Sequence, residues 1–425
     1  MLGSARRRDV CVVGAGPGGS AAALALAREG VPTLLLERSV FPRDKVCGDA
    51  FSGRSVGVLK DLCPGFMQRL SAIGSSQSAQ GAVISSPSRV HVHIPIPESH
   101  DPRVRVPGFL VRRSLFDQEL ALEAAAHPEI ELLQGAEVSA YEREEEGWRL
   151  QLRLDGGSHT RTLRTRLVIA ADGAESRLAR RLAPSRTLKR STGVGVRTYY
   201  EGVEGMQTGW IELHYVAPLF PGYLWMIPLD GGITNVGIWQ PLRYRRHGNI
   251  HFRELLTTLL KSVPDLGRRF VHARRTGLPR GARLPLGARR PVLSGPDCLL
   301  VGDAASLVDP FTGEGIGNAL MSGRLAGEHA ARFLSTQAGE RPDLRDYDRQ
   351  VRGALDKEYR LTRRLRSLAS HQWILDHFIG QAHRGGSCYL LLASAFRPQD
   401  RKERTRSLLY YLWRVLRRGR TAAGS

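Results

Sequence analysis

Residues 9–38 read DVCVVGAGPGGSAAALALAREGVPTLLLER, and three kinds of segment follow one another inside them. A β-rich apolar run stops at Gly14, an alanine-rich helical stretch continues to Gly30, and a second apolar run ends at Glu37. Two strand-length runs flanking a helix-length one predict a βαβ unit. Gly14, Gly16 and Gly19 form GxGxxG where the first strand turns into the helix, and Glu37 closes the second strand. Gly14 permits the tight turn, Gly16 lets a pyrophosphate approach the backbone at the positive end of the helix, and Gly19 lets helix and strand pack closely. Glu37 stands where it can accept hydrogen bonds from adenosine ribose hydroxyls. A lone GxGxxG says little, but with both strands and the acidic residue in register it predicts a bound dinucleotide.

The totals bound what surrounds this unit. A chain of 425 residues has room for two or three domains of about 100–200 residues each. Its formal charge is +21, yet only six of its 62 basic residues are lysines and the arginines are spread along the whole chain. That spread, without a nucleic-acid-binding module, argues against nucleic acid as a partner. Five widely spaced cysteines without a CxxC pair argue for reduced thiols in the cytoplasm and against a disulfide framework or a structural zinc site. The N-terminus lacks the apolar core of a secretory signal, and no apolar run reaches the ~20 residues of a spanning helix. A soluble protein, at most peripheral to a membrane, is expected.

Two further segments extend the nucleotide-binding pattern. LVIAADGAESRLAR (167–180) is an apolar strand ending at Asp172 and Gly173; DCLLVGDAASLVDPFTGEGIGNALMSGRLAGEHAA (297–331) is a strand, Gly302-Asp303, a loop and a small-residue helix. With the N-terminal unit they resemble the three fingerprints of FAD-dependent enzymes of the aromatic-hydroxylase and geranylgeranyl-reductase superfamily. The resemblance implies non-covalent FAD on a Rossmann-type α/β domain, with Glu37, Arg38 and Asp172 among the cofactor's contacts and Asp303 on the ribityl chain. Pro310, Gly313, Gly315, Gly317 and Asn318 would bring the backbone N–H groups of a helix start against the pyrimidine end of the flavin. A reduced flavin carries negative charge there, which a helix N-terminus stabilises. VRRSLFDQEL (111–120) resembles the superfamily's Arg-x-x-Phe-Asp helix start, and Arg113 fits the arginine that lies near the cofactor's phosphates. No second GxGxxG with its own βαβ unit follows, so NAD(P)H is expected to dock transiently or to be replaced by a reduced electron-carrier protein.

These segments assign 1–72, 108–185 and 291–345 to a discontinuous FAD-binding domain. Between them, RVHVHIPIP, TGVGVRTYY, WIELHYV and YLWMIPL alternate or are rich in β-branched and aromatic residues at strand length. They predict an inserted antiparallel β-sheet domain over 73–107 and 186–290. His91 and His93 fall on one face of that alternation and are expected to face solvent rather than a metal, since no third ligand is evident. Residues 346–425 are expected to be helical and basic. Within them, 404–420 put Leu408, Leu409, Leu412 and Leu416 on one helical face, either packed on the protein's own body or lying on an anionic membrane surface.

Two motifs narrow the resemblance to the geranylgeranyl-reductase branch. FPRDKVCGD (41–49) is similar to its Pro-Arg-x-Lys-x-Cys-Gly-Gly/Asp pattern, and PGYLWMIPLDGGITNVGIW (221–239) to its Tyr-x-Trp-x-Phe-Pro segment followed by Asn-Val-Gly. Asp49 stands where many members have glycine, and Ile227 where phenylalanine is usual. The branch's reaction, saturation of an isolated isoprenoid double bond, needs a proton at one carbon as hydride reaches the other. Cys47 is the leading acid or donor-positioning group, with Asp49 and Tyr223 as alternatives; a small buried hydrophobe is the bland reading of that cysteine. Tyr223 and Trp225 alternate on a strand and so share a face, expected to wall a greasy tunnel for a hydrophobic substrate. The rival is oxygen chemistry by a flavin monooxygenase or halogenase. A halogenase further needs a lysine a few dozen residues past the Cys47 loop, and none occurs between Lys60 and Lys189. A binding or electron-transfer flavoprotein without a substrate of its own is the third reading.

Overall fold

A computed structural model describes residues 8–74, 76–96, 108–182, 192–244, 251–287, 292–310, 312–336, 341–368 and 371–396. The basic stretch 404–420 lies outside them. Contacts divide the chain into one unit of residues 1–76, 111–194 and 282–365 and another of 77–110, 195–281 and 366–425. Residues 346–365, expected to open a separate helical region, group with the first unit.

In the first unit the βαβ motif forms as strand Arg8–Val13, helix Pro17–Arg28 and strand Thr33–Leu36. Proline sits at the first helical position, where its fixed φ suits the turn and its missing N–H would have had no helical partner. The sheet runs in the order Ser294–Gly295, Cys298–Leu300, His159–Ala170, Arg8–Val13, Thr33–Leu36, Ile130–Leu133, all parallel except the first pair. Val10 to Val13 and Leu34 to Leu36 are buried, as expected of parallel strands covered on both faces. A hairpin of Ala136–Glu144 and Gly147–Leu154 pairs antiparallel with the early part of His159–Ala170. Helix Ile316–Ser335 lies directly on helix Pro17–Arg28: a Cβ on Gly323 would stand 2.0 Å from the Gly18 carbonyl oxygen, and one on Gly327 2.5 Å from that of Ala22. The small residues of SGRLAG thus serve backbone-to-backbone helix packing.

The second unit is built on a sheet ordered Arg274–Arg275, Thr192–Glu201, Ile233–Pro241, Tyr223–Leu229, Trp210–His214, Gly81–Ser85, His91–Pro95. It is mixed rather than antiparallel, because Trp210–His214 runs parallel to Gly81–Ser85. These two strands come from different insertions, so no hairpin forces them to oppose each other. On one face Leu224, Met226, Val236 and Ile238 pack against Leu255, Leu256, Leu259, Leu260 and Leu266 of helices Phe252–Ser262 and Pro264–Arg269. The other face carries Tyr223, Trp225, Ile227, Asn235, Gly237 and Trp239, set opposite one another in register. Among the described residues no helix is long and apolar enough to cross a membrane.

Candidate active site

In the first unit, neighbouring parallel strands end together and deliver the three glycine-containing turns to one place. The Ala171 N–H donates to the Val13 carbonyl at 2.8 Å and that of Val301 to Ala170 at 3.0 Å. Gly14 has φ +101°, and a Cβ on it would meet the Ala171 carbonyl oxygen at 2.5 Å. A Cβ on Gly19 would stand 1.7 Å from the Gly14 carbonyl oxygen, so this glycine is demanded by helix–strand packing. Gly16 differs: a Cβ there would meet only Arg43 Nη2, at 3.6 Å. The space beside it at the helix start is open to a ligand, which fits a pyrophosphate held against the backbone.

Glu37 is buried and binds the turns together, its carboxylate accepting from the N–H groups of Ala15 and Ser39, each at 3.1 Å. Arg43 reaches Glu37 at 3.3 Å through Nη2 and Asp117 at 2.7 Å through Nη1. Arg113 grips the same Asp117 with Nε and Nη2 at 2.7 and 2.8 Å, and its guanidinium lies near the Cys47 sulfur; against burial, Asp117 and then Cys47 raise the Arg113 pKa. Burial alone would raise the Asp117 pKa, but Arg113 and then Arg43 outweigh it and hold the carboxyl below its usual range. Glu37, Arg43, Asp117, Arg113 and Cys47 thus form one continuous chain. The arginine beside Gly16 is Arg43, while Arg113 faces Asp117 and the thiol.

Asp49 is fully buried with φ +60°. Its Oδ1 accepts the Arg113 N–H at 3.0 Å and its carbonyl accepts that of Val111, also at 3.0 Å, so it caps the start of helix Arg113–Ala125. A left-handed backbone is natural for glycine and tolerated by aspartate, so Asp49 fits where the resembled pattern allows glycine. Asp172 accepts from the Tyr141 hydroxyl at 3.3 Å, and burial raises its pKa. Arg38 is exposed.

Gly302 has φ +59° and donates its N–H to Ser322 Oγ at 3.1 Å. Asp303 next to it lies 3.7 Å from Lys45 Nζ. The loop through buried Pro310 closes by a Gly313 N–H bond to the Asp309 carbonyl at 3.1 Å, and helix Ile316–Ser335 starts after Gly315. A Cβ on Gly317 would meet Glu314 Oε1 at 2.8 Å. Asn318 turns inward, donating to the Leu307 carbonyl at 2.8 Å and bonding the Tyr359 hydroxyl at 3.1 Å, while Arg54 donates to its Oδ1. Glu314, hydrogen-bonded by Ser52, has its pKa raised by burial. Arg43, Lys45, Arg54 and Glu314 were not picked out from sequence, although Arg43 and Lys45 stand inside the quoted FPRDKVCGD.

In the second unit, Tyr223 and Trp225 are buried with ring centroids 6.4 Å apart, and Tyr223 stacks on Trp239 at 5.5 Å. The Trp225 indole N–H donates to Asn235 Oδ1 at 2.9 Å. A Cβ on Gly237 would strike the Trp225 ring at 2.2 Å, so Asn-Val-Gly is the seat of that ring. His91, expected to face solvent, is half-buried with Nδ1 2.6 Å from Ser85 Oγ; His93 is exposed.

Residues 7–217 match the FAD binding domain family. The chain is 34% identical over 334 residues to menaquinone reductase of Mycolicibacterium smegmatis, covering 76% of each chain. It is 29% identical over 358 residues to digeranylgeranylglycerophospholipid reductase of Methanocaldococcus jannaschii, covering 80% of this chain and 81% of that one. A geranylgeranyl bacteriochlorophyll reductase-like structure from Thermoplasma acidophilum superposes with a TM-score of 0.74 at 22% identity, over 88% of this chain and 91% of the other. Flavin-dependent halogenases of known structure share the fold too, at 16–22% identity. The turns described above, with Gly16 open to a pyrophosphate, are those of an FAD-dependent oxidoreductase. Within that class, the chain belongs to the geranylgeranyl reductase family.

Proposed function

We propose that this protein saturates isolated C=C bonds in the isoprenoid chain of a lipid-soluble substrate, with a menaquinone side chain as the first candidate. One observation carries the reading: the buried guanidinium of Arg113, fixed by Asp117, stands near Cys47 in the unit that holds the FAD fingerprints. The reductases named above add to it, since the first is similar over three-quarters of both chains.

The turns at Gly16 and at Gly302-Asp303 would hold FAD non-covalently, and the reduced cofactor would supply the hydride. An isolated alkene is electron-rich, so the second carbon must receive a proton in the same event. Cys47 gives that proton, Arg113 orients the sulfur, and Asp117 fixes Arg113. Asp49 is spent on the start of helix Arg113–Ala125 and positions rather than donates. Electrons arrive from NAD(P)H docking transiently or from a reduced carrier protein.

Anaerobic photoreduction of the purified flavoprotein, then incubation with a menaquinone or a geranylgeranyl compound and mass analysis, tests the reading. A gain of two mass units per turnover supports reduction, and a gain of sixteen assigns oxygenation instead. Cys47→Ala should keep its FAD and lose turnover by about 10²-fold or more; full turnover in that variant removes the thiol from the mechanism.

A further inference from the structure

The second unit holds a cavity of about 220 Å³ on the helix-covered face of its sheet, opposite to the face of Tyr223 and Trp225. Register fixes this: Glu212 and His214 pair with Met226 and Leu224, the residues that meet the helices. The cavity lies between the edge strands and helix Pro264–Arg269, with Arg89, His91, His93, His214 and Arg269 around it.

Two of its polar groups are unfinished. Arg89 donates through Nε to Asp265 at 3.0 Å, but its Nη1 and Nη2 are buried without a partner among the described residues. Its backbone is left-handed, φ +69°, a conformation arginine rarely adopts, held by a turn in which its N–H bonds the Ser86 carbonyl at 3.0 Å. His214 is 2% exposed, and its Nε2 lies 2.8 Å from Glu212. Arg269 grips both oxygens of that carboxylate at 2.6 and 2.7 Å. An ionised carboxylate only accepts, so Nε2 carries the hydrogen and Nδ1 presents a lone pair. That Nδ1 is also buried without a partner among the described residues.

Native proteins seldom leave buried polar atoms unmet. The cavity therefore calls for a group with acceptor oxygens for a guanidinium fork and an acidic hydrogen, or the charge to draw one, for an imidazole. A carboxylate has the charge but two oxygens and no hydrogen to give to Nδ1. A hydrogen phosphate has both the charge and a hydrogen, and its further oxygens also suit His91 and His93, which line the cavity. No group of His, Cys, Asp and Glu among the described residues could hold a metal ion, and two arginines at the cavity would repel one. We propose that this cavity binds a phosphate group, as a monoester or diphosphate, through Arg89 and His214.

The charged groups facing the imidazoles come from three elements. They are Arg89 in the turn, Glu212 on strand Trp210–His214, and Asp265 and Arg269 on helix Pro264–Arg269; from helix Gln372–His383, Asp376 and His383 bond the backbone of Ser88 and His91. Burial, then Arg89, lowers the His91 pKa; burial also lowers that of His214, although Glu212 works against it. An anion in the cavity reverses the repulsion and lets these rings take protons, so binding should tighten as pH falls from 8 to 6.

Isothermal titration of the intact holoprotein tests the site. The arms are inorganic phosphate, pyrophosphate, dimethylallyl diphosphate and adenosine 2′,5′-bisphosphate, with sulfate, whose charge is constant over this range, for the pH series. Saturable binding that Arg89→Gln weakens at least tenfold, with FAD content unchanged and partial recovery in Arg89→Lys, supports the proposal. The arm that binds best names the source: the free ion, a prenyl diphosphate or a nucleotide. No saturable binding in any arm, equal binding by Arg89→Gln, or sulfate binding indifferent to pH overturns it. The readout is binding, so failure of the proposed alkene reduction leaves it untouched.

Discussion

Gly16 and Gly19 stand in one turn and answer to different demands. A side chain on Gly19 would drive into the Gly14 carbonyl at 1.7 Å, and two backbones cannot separate without opening the helix–strand contact. Gly19→Ala should therefore cost on the order of 3 kcal/mol even without cofactor. Gly16 has an extended backbone, φ −75° and ψ −175°, which valine adopts readily, and nothing but Arg43 nearby. Gly16→Val should fold at near wild-type stability and carry no FAD. Urea unfolding of the apoproteins and flavin absorbance of the purified variants check both; normal FAD in Gly16→Val would mean that the pyrophosphate lies elsewhere.

The strand pair Tyr223–Leu229 and Ile233–Pro241 explains as a unit what its motif says in letters. Asn235 receives the Trp225 indole and Gly237 leaves room for its ring. Asn235→Leu should cost about 2 kcal/mol by stranding a buried N–H, and much less in a Trp225→Phe background, a coupling that a double-mutant cycle in urea reads directly. Equal costs in both backgrounds would mean that the bond contributes nothing. On the next strand, burial would raise the Glu212 pKa, but hydrogen bonds from Arg269 and His214 win and depress it from 4.5 to about 2. A depressed carboxyl contributes stability that is complete above its unfolded value and is lost as pH falls through the folded one. For Glu212 that is roughly 3 kcal/mol lost between pH ~4.5 and ~2. Glu212→Gln should flatten the fall of unfolding free energy across that window; an identical fall means that the pair is not linked to folding.

Much of this was legible beforehand, because glycines and acidic residues at fixed spacing constrain a backbone locally. The βαβ turn and the strand before Gly302-Asp303 were legible that way, and the Tyr-x-Trp strand through its aromatic, β-branched run. Pairings between distant segments were not. The parallel strands Gly81–Ser85 and Trp210–His214 come from separate insertions, and the leucines of Phe252–Ser262 bury their face only once that sheet exists. Arg43 and Arg113 illustrate the same limit: in a chain with 62 basic residues, only three dimensions tell which guanidinium meets Gly16 and which meets the thiol.

Across the whole molecule the positive charge of +21 bears on where the proposed isoprenoid substrate would be met. Each buried CH₂ favours lipid by about 0.8 kcal/mol, so the proposed long isoprenoid substrate would have to be loaded from a bilayer. We propose that residues 404–425, outside the described structure, make that contact through their leucines and arginines. Their deletion should spare FAD binding and abolish salt-sensitive sedimentation with anionic vesicles; unchanged sedimentation would assign the contact to another surface.

None of the five cysteines is in a disulfide, and their environments sort them chemically. Cys11, Cys63 and Cys298 are buried, and burial pushes the thiols of Cys63 and Cys298 up to about 12 and that of Cys11 higher still. Only Cys47 and Cys388 are partly accessible. An alkylating reagent should therefore see two sulfurs in the native fold, and Cys388→Ser leaves one. In that background the mass of a single maleimide adduct, followed against added flavin, reads whether bound cofactor shields Cys47, as its proposed place requires, with neither turnover nor colour.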